Sequence, residues 1–177
     1  VRKPKFAAIN LKNGDKLLSI LPITDDVKSL MLISRAGMVI HFPIGDVAAI
    51  GRVSAGVKGM LLSAGDRVLS AVIGGDEGEL VLLSDQGYIK RCLMVDFELQ
   101  ARAGKGVRAF NLLKNGANGK EIVATFSVKQ PFTFHVVQKD GTRTPVDTEA
   151  VKIEMRSGKG QPFVLVTGDN TVTGVER

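Results

Sequence analysis

Residues 82–87 read Leu-Leu-Ser-Asp-Gln-Gly, and this hexapeptide has counterparts at residues 32–37 and 136–141. The copies are spaced by 50 residues and then by 54, a period typical of repeat architectures. The four additional residues fall around residues 115–120, a Gly- and Asn-rich stretch in which we expect a loop tip that tolerates insertions. Matching segments near both ends of the chain indicate three whole repeats, preceded by the tail half of a fourth.

Each repeat is built from short apolar runs of Val, Ile, Leu and Met that are separated by turn pairs such as Asp140-Gly141. Such runs are typical of β-strands joined by tight turns, and no window keeps apolar residues at helical spacing for long. About four strands per repeat predict one blade of a propeller-like array, because a blade buries its faces only against its neighbours. The predicted fold class is therefore all-β.

The domain organisation follows from the repeat. The 177 residues, 44% of them hydrophobic, are enough for one core, and we interpret them as a single domain or a fragment of one, since the first residue is Val1. The tail of a preceding blade is expected at residues 1–27. Three repeats follow at about residues 28–76, 77–129 and 130–177.

Composition excludes several classes of protein. A single cysteine, Cys92, cannot form an internal disulfide and favours a reducing cytoplasm. No stretch approaches the 18 apolar residues of a membrane span, and no secretory leader is visible, so we expect no membrane partner. Lys and Arg number 24 against 18 Asp and Glu, and the net charge of +6 favours an anionic partner.

Residues suited to catalysis or metal binding are sparse. His41 and His135 stand in strand-like runs without a Cys or paired acid at ligand spacing, so we expect both to be structural. The Gly-Lys-Gly triplets at residues 104–106 and 158–160 lack the Ser or Thr of a phosphate-binding loop. The acidic run 76–79 lacks the alternating ligands of a calcium loop. The sequence predicts no catalytic residue, metal, cofactor or small-molecule substrate.

The positive signal is an Arg-x-x-x-Gly element that occurs once in each repeat, at residues 52–56, 102–106 and 156–160. Arg presents a planar fork of donors to phosphate oxygens, and a nearby Gly lets backbone N–H groups approach the same anion. Between Asp85 and Lys114 six basic residues face three acidic ones, whereas the segment from Asp66 to Leu80 is acidic. Three elements in register predict a row of donors along one rim, a pattern that suits sequence-independent binding of nucleic acid.

The predicted site contains two sets of residues, although each element taken alone could be an ordinary turn with a surface arginine. The expected DNA-binding residues are Arg52, Lys58, Lys90, Arg91, Arg102, Lys105, Arg108, Arg156 and Lys159. The expected structural glycines, at least some of them with positive φ, are Gly56, Gly104, Gly106, Gly158 and Gly160.

These residues give the chain a recognisable likeness. Over essentially its whole length it resembles the C-terminal domain of the A subunit of bacterial DNA gyrase and of its paralogue in topoisomerase IV. The likeness is carried by LLSDQGYIKR at residues 82–91, GKGVR at 104–108 and INLKNGD at 9–15. It implies a β-pinwheel, a propeller-like disc whose blades exchange strands, with DNA bent around a basic rim.

Gyrase members of this family carry a heptapeptide, Gln-Arg-Arg-Gly-Gly-x-Gly, that full DNA wrapping requires. The closest stretch here has Ala at the positions of the first Arg and the first Gly. The residues of this degenerate box are Gln100, Arg102, Gly104, Lys105 and Gly106. Because the box is incomplete and lies in an interior repeat, the resemblance fits topoisomerase IV, or a gyrase fragment that begins after the box.

The resemblance implies a non-catalytic domain that binds and bends double-stranded DNA for ATP-dependent strand passage and control of supercoiling. Its partners would be the ATPase subunit together with the rest of the topoisomerase A subunit, in the bacterial cytoplasm at the nucleoid. The alternative is a propeller-like protein-interaction module whose basic rim binds an acidic partner. Steep salt dependence would distinguish DNA binding from such an interface, which depends more on buried apolar anchors.

Overall fold

The computed structural model describes residues 8–12, 14–51 and 54–177. In these ranges the secondary structure consists of β-strands and single-turn 3-10 segments, so the predicted all-β fold class is confirmed. The strands are β1 (Ser29–Ser34), β2 (Met38–Pro43), β3 (Val68–Ile73), β4 (Glu79–Ser84), β5 (Tyr88–Leu93), β6 (Val107–Arg108), β7 (Ile122–Val128), β8 (Thr133–Gln138), β9 (Arg143–Asp147), β10 (Gln161–Pro162) and β11 (Val172–Glu176). No helix in the same ranges is long and apolar enough to cross a membrane.

Each copy of the hexapeptide forms the tight turn of a hairpin: β1–β2, β4–β5 and β8–β9. Its glycine has a positive φ, 77° at Gly37, 73° at Gly87 and 88° at Gly141. Glycine adopts this conformation without a steric penalty, which is why the turn pair ends in Gly. In the second copy the hydroxyl of Ser84 also accepts the backbone N–H of Tyr88 at 3.2 Å.

The strands form three antiparallel sheets, which we call blades 1, 2 and 3. Blade 1 has the spatial order β3-β1-β2-β6, blade 2 the order β7-β4-β5-β10, and blade 3 the order β11-β8-β9. Strand β6 follows β5 in the chain and yet pairs with β2, and β10 in the same way pairs with β5. The first two blades thus take their outer strand from the following repeat, which is the strand exchange of a β-pinwheel.

The apolar core lies between the blades. Alternate residues of a strand point to opposite faces of its sheet, so Leu80 and Leu82 pack against blade 1 while Val81 and Leu83 pack against blade 3. All four side chains are fully buried. Since burying one such side chain stabilises by about 1.5–3 kcal/mol, blade 2 gains stability from both neighbours. This stacking fixes the position of the outer edges of the blades.

Candidate nucleic-acid interface

We number the loops that carry the Arg-x-x-x-Gly element first, second and third in chain order. The second loop, residues 102–106, and the third loop, residues 156–160, directly precede the exchanged strands β6 and β10 at the outer edges of blades 1 and 2. Successive loops are joined by one repeated backbone hydrogen bond. The N–H of Leu61 donates to the carbonyl of Gly104 at 2.8 Å, and the N–H of Asn111 donates to the carbonyl of Gly158 at 2.9 Å. The loops of the three repeats therefore form a continuous row, as the in-register spacing of the elements suggests.

The arginine of an element binds the backbone of the preceding loop. Nη1 of Arg102 donates to the carbonyl of Lys58, and its Nε donates to the carbonyl of Asp46 at 2.9 Å. At the equivalent position Nη1 of Arg156 donates to the carbonyl of Arg108 at 3.2 Å. Part of each guanidinium is thus occupied in holding the row of loops together, and only the remaining donors can meet an external anion.

The glycines that end the elements have the predicted positive φ: 77° at Gly56, 72° at Gly106 and 73° at Gly160. A Cβ on Gly106 would lie 2.3 Å from the carbonyl oxygen of Val39, and one on Gly160 would lie 2.7 Å from the ring of Phe110. Glycine is therefore required at Gly106 and Gly160 for two reasons: the positive φ, and the close approach of the exchanged strand to its neighbours. The three glycines occupy equivalent backbone positions.

The degenerate box runs along the edge of blade 1, where the N–H of Gln100 donates to the carbonyl of His41 at 2.7 Å. The first glycines of the two Gly-Lys-Gly triplets differ in constraint. A Cβ on Gly158 would lie 2.3 Å from a carboxylate oxygen of Glu154, whereas a Cβ on Gly104 would have no neighbour closer than 3.5 Å. Close packing therefore constrains Gly158, and Gly104 has room for a side chain.

Four of the predicted DNA-binding side chains are exposed along the row of loops, and we call them the rim cations: Lys58, Lys105, Arg108 and Lys159. Nη1 of Arg108 also lies 3.3 Å from the side-chain oxygen of Asn111. Arg52 lies outside the described residues. Exposed cations in series, on loops braced by their own backbone, are suited to phosphate oxygens of a polyanion and do not by themselves read bases.

Lys90 corrects a sequence expectation, because it is not at the surface of the rim. Its side chain is fully buried, and Nζ donates to the carbonyls of Met155, Arg156 and Gly158 at 3.0, 2.7 and 3.1 Å. Burial lowers the pKa of Lys90. Lys90 supports the third loop from beneath and is not placed to contact a phosphate; the equivalent residue in blade 1 is the buried Ile40.

Arg91 is also occupied within the protein, contrary to the expectation of a free rim cation. Its Nη1 lies 2.6 Å from a carboxylate oxygen of Glu79, with side chains only 14% and 19% exposed, and its Nε donates to the carbonyl of Val151 at 2.8 Å. In blade 1 the equivalent His41 places Nδ1 2.6 Å from the carbonyl of Phe97, the counterpart of Val151. This strand position therefore fastens each blade to the next.

Asn118 is a bracing residue that the sequence pattern did not reveal. It is fully buried, its amide nitrogen donates to the carbonyls of Asn111 and Lys159 at 2.8 Å each, and its oxygen accepts the N–H of Leu113 at 2.7 Å. Residues 115–120 form a loop, as expected, although Asn118 is buried within it. With all three of these hydrogen bonds made, the side chain of Asn118 holds the third loop in place. The only signal of this role in the sequence is the position of Asn118 in a Gly-rich stretch.

The remaining chemistry of the site is ionic. Within the described ranges no group of three or more His, Cys, Asp and Glu side chains is placed to hold a metal ion. His41 is buried, with Nε2 2.7 Å from the hydroxyl of Ser29, whereas His135 is exposed on β8. The arrangement is suited to binding an extended anion.

Comparison with known proteins connects this geometry to a family. The family model described as DNA gyrase C-terminal domain, beta-propeller, matches residues 7–24, 28–73 and 78–118. The A subunit of DNA gyrase from Pseudomonas aeruginosa is 30% identical over 176 residues, which cover 99% of this chain and 19% of that protein. The A subunit of DNA gyrase from Kosmotoga olearia is 31% identical over 177 residues, 98% of this chain and 21% of that protein.

Two solved structures are also similar to this chain. The C-terminal domain of DNA topoisomerase IV matches with a TM-score of 0.83 and 26% identity, over 96% of this chain and 52% of that one. A DNA gyrase A C-terminal domain matches with a TM-score of 0.80 over 95% of this chain and 56% of that one; at 21% identity this likeness shows the fold alone. The chain spans about a fifth of the length of the curated relatives.

Proposed function

The chain belongs to the family of DNA gyrase C-terminal domains, and from that premise we propose that it binds and bends double-stranded DNA independently of base sequence. The observation that carries the proposal is the continuous row of loops with four rim cations at its surface. Cations on a row of loops follow a phosphate backbone, whose charge is the same for every sequence. Base-edge readout would need an element that enters a groove.

The rigidity of the array supports the bending part of the proposal. Adjacent blades share cores and are held by strand exchange, so the loops keep fixed positions relative to one another. A duplex that contacts all of them must adapt to the rim. Smooth bending of a 20–30 base-pair site costs roughly 1–6 kcal/mol, which additional phosphate contacts offset.

In this proposal the domain is an accessory part of a type IIA topoisomerase A subunit, of gyrase or of topoisomerase IV, and is not itself catalytic. It presents one DNA segment to strand passage, which the ATPase subunit drives, in the bacterial cytoplasm at the nucleoid. Its protein partners are that ATPase subunit together with the rest of the A subunit. Supercoiling control is then a property of the whole enzyme, to which this domain contributes a bent DNA segment.

One observation favours the second candidate function, a protein-interaction module with an acidic partner. Met155 and Leu165, both next to the third loop in the chain, are 78% and 81% exposed. Exposed apolar side chains of this kind could anchor a protein partner, whose affinity would depend on their burial. If a Met155→Ala/Leu165→Ala variant no longer bound an acidic protein partner, while the salt dependence of its DNA affinity stayed unchanged, this function would be favoured.

The test is a salt titration of DNA affinity on two unrelated duplexes. We expect the rim variant Lys58→Ala/Lys105→Ala/Arg108→Ala/Lys159→Ala to lower the slope of log Kobs against log salt by about three to four units, since each phosphate contact contributes about 0.9. The charge-matched control replaces four exposed lysines outside the three loops: Lys28, Lys114, Lys120 and Lys139. An equal loss in the control, or a loss on one duplex only, contradicts the proposal.

Bending is measured separately, by energy transfer between dyes at the two ends of a duplex. We expect transfer to rise when the wild-type chain binds and to rise much less with the rim variant at saturating concentration. Binding without any change in end-to-end distance would refute the bending part while leaving DNA binding in place.

A further inference from the structure

The third loop binds an anion that belongs to its own chain. Oε2 of Glu154 accepts the backbone N–H of Gly160 at 3.1 Å, and its Oε1 accepts an N–H of the Gln161 side-chain amide at 2.8 Å. A Cβ on Gly158 would lie 2.3 Å from Oε2, so the carboxylate lies directly against the turn of the loop. Two N–H groups that converge on a carboxylate are also suited to the oxygens of a phosphodiester.

The position of this carboxylate is fixed by elements on both sides of it. The backbone N–H of Glu154 donates to the carbonyl of Arg91 at 2.9 Å. Gln161 lies on β10, which pairs with β5 of blade 2. The carboxylate and its donors therefore belong to the junction between blades 2 and 3, inside the array and not at one of its ends.

The charge at this junction distinguishes the third loop from the second. Beneath the third loop the ammonium of Lys90 donates to three loop carbonyls. Burial lowers the pKa of Lys90, and the negative charge of Glu154 works against this shift, as expected of two opposite charges that lie close together. The equivalent positions at the second loop hold the uncharged Ile40 and Gln100. The third loop thus combines a cation beneath it with an anion over it, and the second loop has neither at these positions.

We propose that the N–H of Gly160 and the amide of Gln161 form a phosphate site of the rim, which the carboxylate of Glu154 occupies when no DNA is bound. The N–H of this glycine is the group that the Arg-x-x-x-Gly pattern assigns to an anion. On binding, a phosphate of the DNA backbone takes over both hydrogen bonds, and the carboxylate becomes hydrated. Glu154 is thus an internal competitor that lowers the DNA affinity of the third loop, an inference that rests on the proposed binding of DNA.

The first test follows the carboxylate itself in the full-length wild-type protein. Accessible carboxylates are coupled to glycine ethyl ester with a water-soluble carbodiimide, and the labelled peptides are quantified by mass spectrometry, with and without a duplex of about 30 base pairs. We expect labelling of Glu154 to rise at least about twofold when DNA is bound, because a hydrated carboxylate reacts more readily than one held against the loop. Shielding by DNA would act in the opposite direction.

Glu98 is the internal control of this experiment, since it is exposed and lies outside the proposed site. Its labelling should stay the same or fall when DNA binds. Unchanged or reduced labelling of Glu154 in samples that bind DNA, as measured by fluorescence anisotropy, would overturn the inference. Samples in which no DNA binds would instead contradict the proposed function itself.

A variant provides a second readout. Glu154→Gln keeps the size of the side chain and removes its charge, so it leaves a weaker acceptor in the site. We expect its DNA affinity to exceed that of the wild type by about three- to tenfold at equal salt, on two unrelated duplexes. The matched control Glu98→Gln removes the same charge from an exposed position and should change the affinity by less than about twofold. An equal rise in the two variants would show that only the overall charge matters, and would overturn the role of Glu154 as a competitor.

Discussion

The junction between blades 1 and 2 and the junction between blades 2 and 3 use the same backbone design with different side chains. In the first, Ile40 lies beneath the loop of Gly104. In the second, Lys90 occupies the equivalent place and binds three loop carbonyls through its ammonium. The sequence predicts that Lys90 is a surface cation of the rim, but in the structure it is a buried support of the loop. The number of basic residues in a repeat therefore does not give the charge at its surface.

Both junctions share the strand exchange, and they differ in how tightly it packs. At the first junction Gly106 faces a backbone carbonyl, that of Val39, whereas at the second Gly160 faces the ring of Phe110. A main-chain carbonyl in a sheet cannot move aside, and the equivalent carbonyl at the second junction, that of Ile89, would lie 3.3 Å from a Cβ on Gly160 instead of 2.3 Å. The comparison thus predicts different tolerance at equivalent glycines.

The largest effect is expected for Gly106→Ala, because the new Cβ would lie 2.3 Å from a carbonyl oxygen and the backbone has φ +72°. We expect a loss of roughly 3–5 kcal/mol in the free energy of unfolding, measured by urea denaturation. The matched control is Gly56→Ala, which has φ +77° but, among the described residues, no atom within 4 Å of the new Cβ, and should lose only about 1–2 kcal/mol. Equal losses at the two positions would remove close packing from the account.

The next effect concerns Lys90→Met, which keeps the length of the side chain and removes the ammonium. Three loop carbonyls then lose their donor, and we expect a loss of roughly 2–4 kcal/mol in the free energy of unfolding. Lys105→Met, at an exposed position, is the control and should stay within about 0.5 kcal/mol of the wild type. A Lys90→Met variant as stable as the control would mean that the buried bonds contribute nothing.

A smaller loss of stability is expected when either Arg91 or Arg102 is replaced by alanine, and the two losses should differ. Arg91→Ala leaves the carboxylate of Glu79 without its cation in a site only 19% exposed, and should cost about 2 kcal/mol. Arg102→Ala removes bonds near the surface and should cost about 1 kcal/mol. Thermal unfolding of the two variants side by side measures the difference, and the reverse order would contradict the distinction between them.

The smallest effect is a pH dependence at the second junction. The pKa of Lys90 is lowered in the folded state by burial, so between that pKa and its ordinary value of 10.5 the unfolded chain binds more protons. The contribution of Lys90 to stability therefore increases as pH rises through this window. We expect the difference in unfolding free energy between the wild type and Lys90→Met to grow as pH rises toward the ordinary pKa of 10.5; a constant difference over this approach would contradict the lowered pKa of Lys90.

Much of the fold follows from local chemistry that a sequence displays. Hexapeptide turns ending in Gly37, Gly87 and Gly141 specify hairpins because the turn needs positive φ. The period then places equivalent strands in equivalent blades. Strand exchange is less accessible, because β6 and β10 are two residues long and pair with strands of another repeat; it was predicted from a family resemblance.

The candidate site was only partly predictable. The loops and their glycines have local signatures, and the structure brings them together in a row. Burial of Lys90 depends on a loop about 65 residues further along the chain, and the ion pair of Arg91 depends on Glu79 across the hairpin. No pattern within one repeat reports such contacts. Asn118 escaped notice for the same reason, since its partners lie in two different loops.

The central claim is that the rim cations contact DNA, whereas the buried cations serve the scaffold. The most direct measurement compares the salt dependence of DNA affinity for Lys105→Ala/Arg108→Ala and for Lys90→Met, at a temperature where both are folded. We expect a slope of log Kobs against log salt that is reduced by about two units for the first variant and unchanged for the second. A reduced slope for Lys90→Met, with no change for the rim variant, would contradict it.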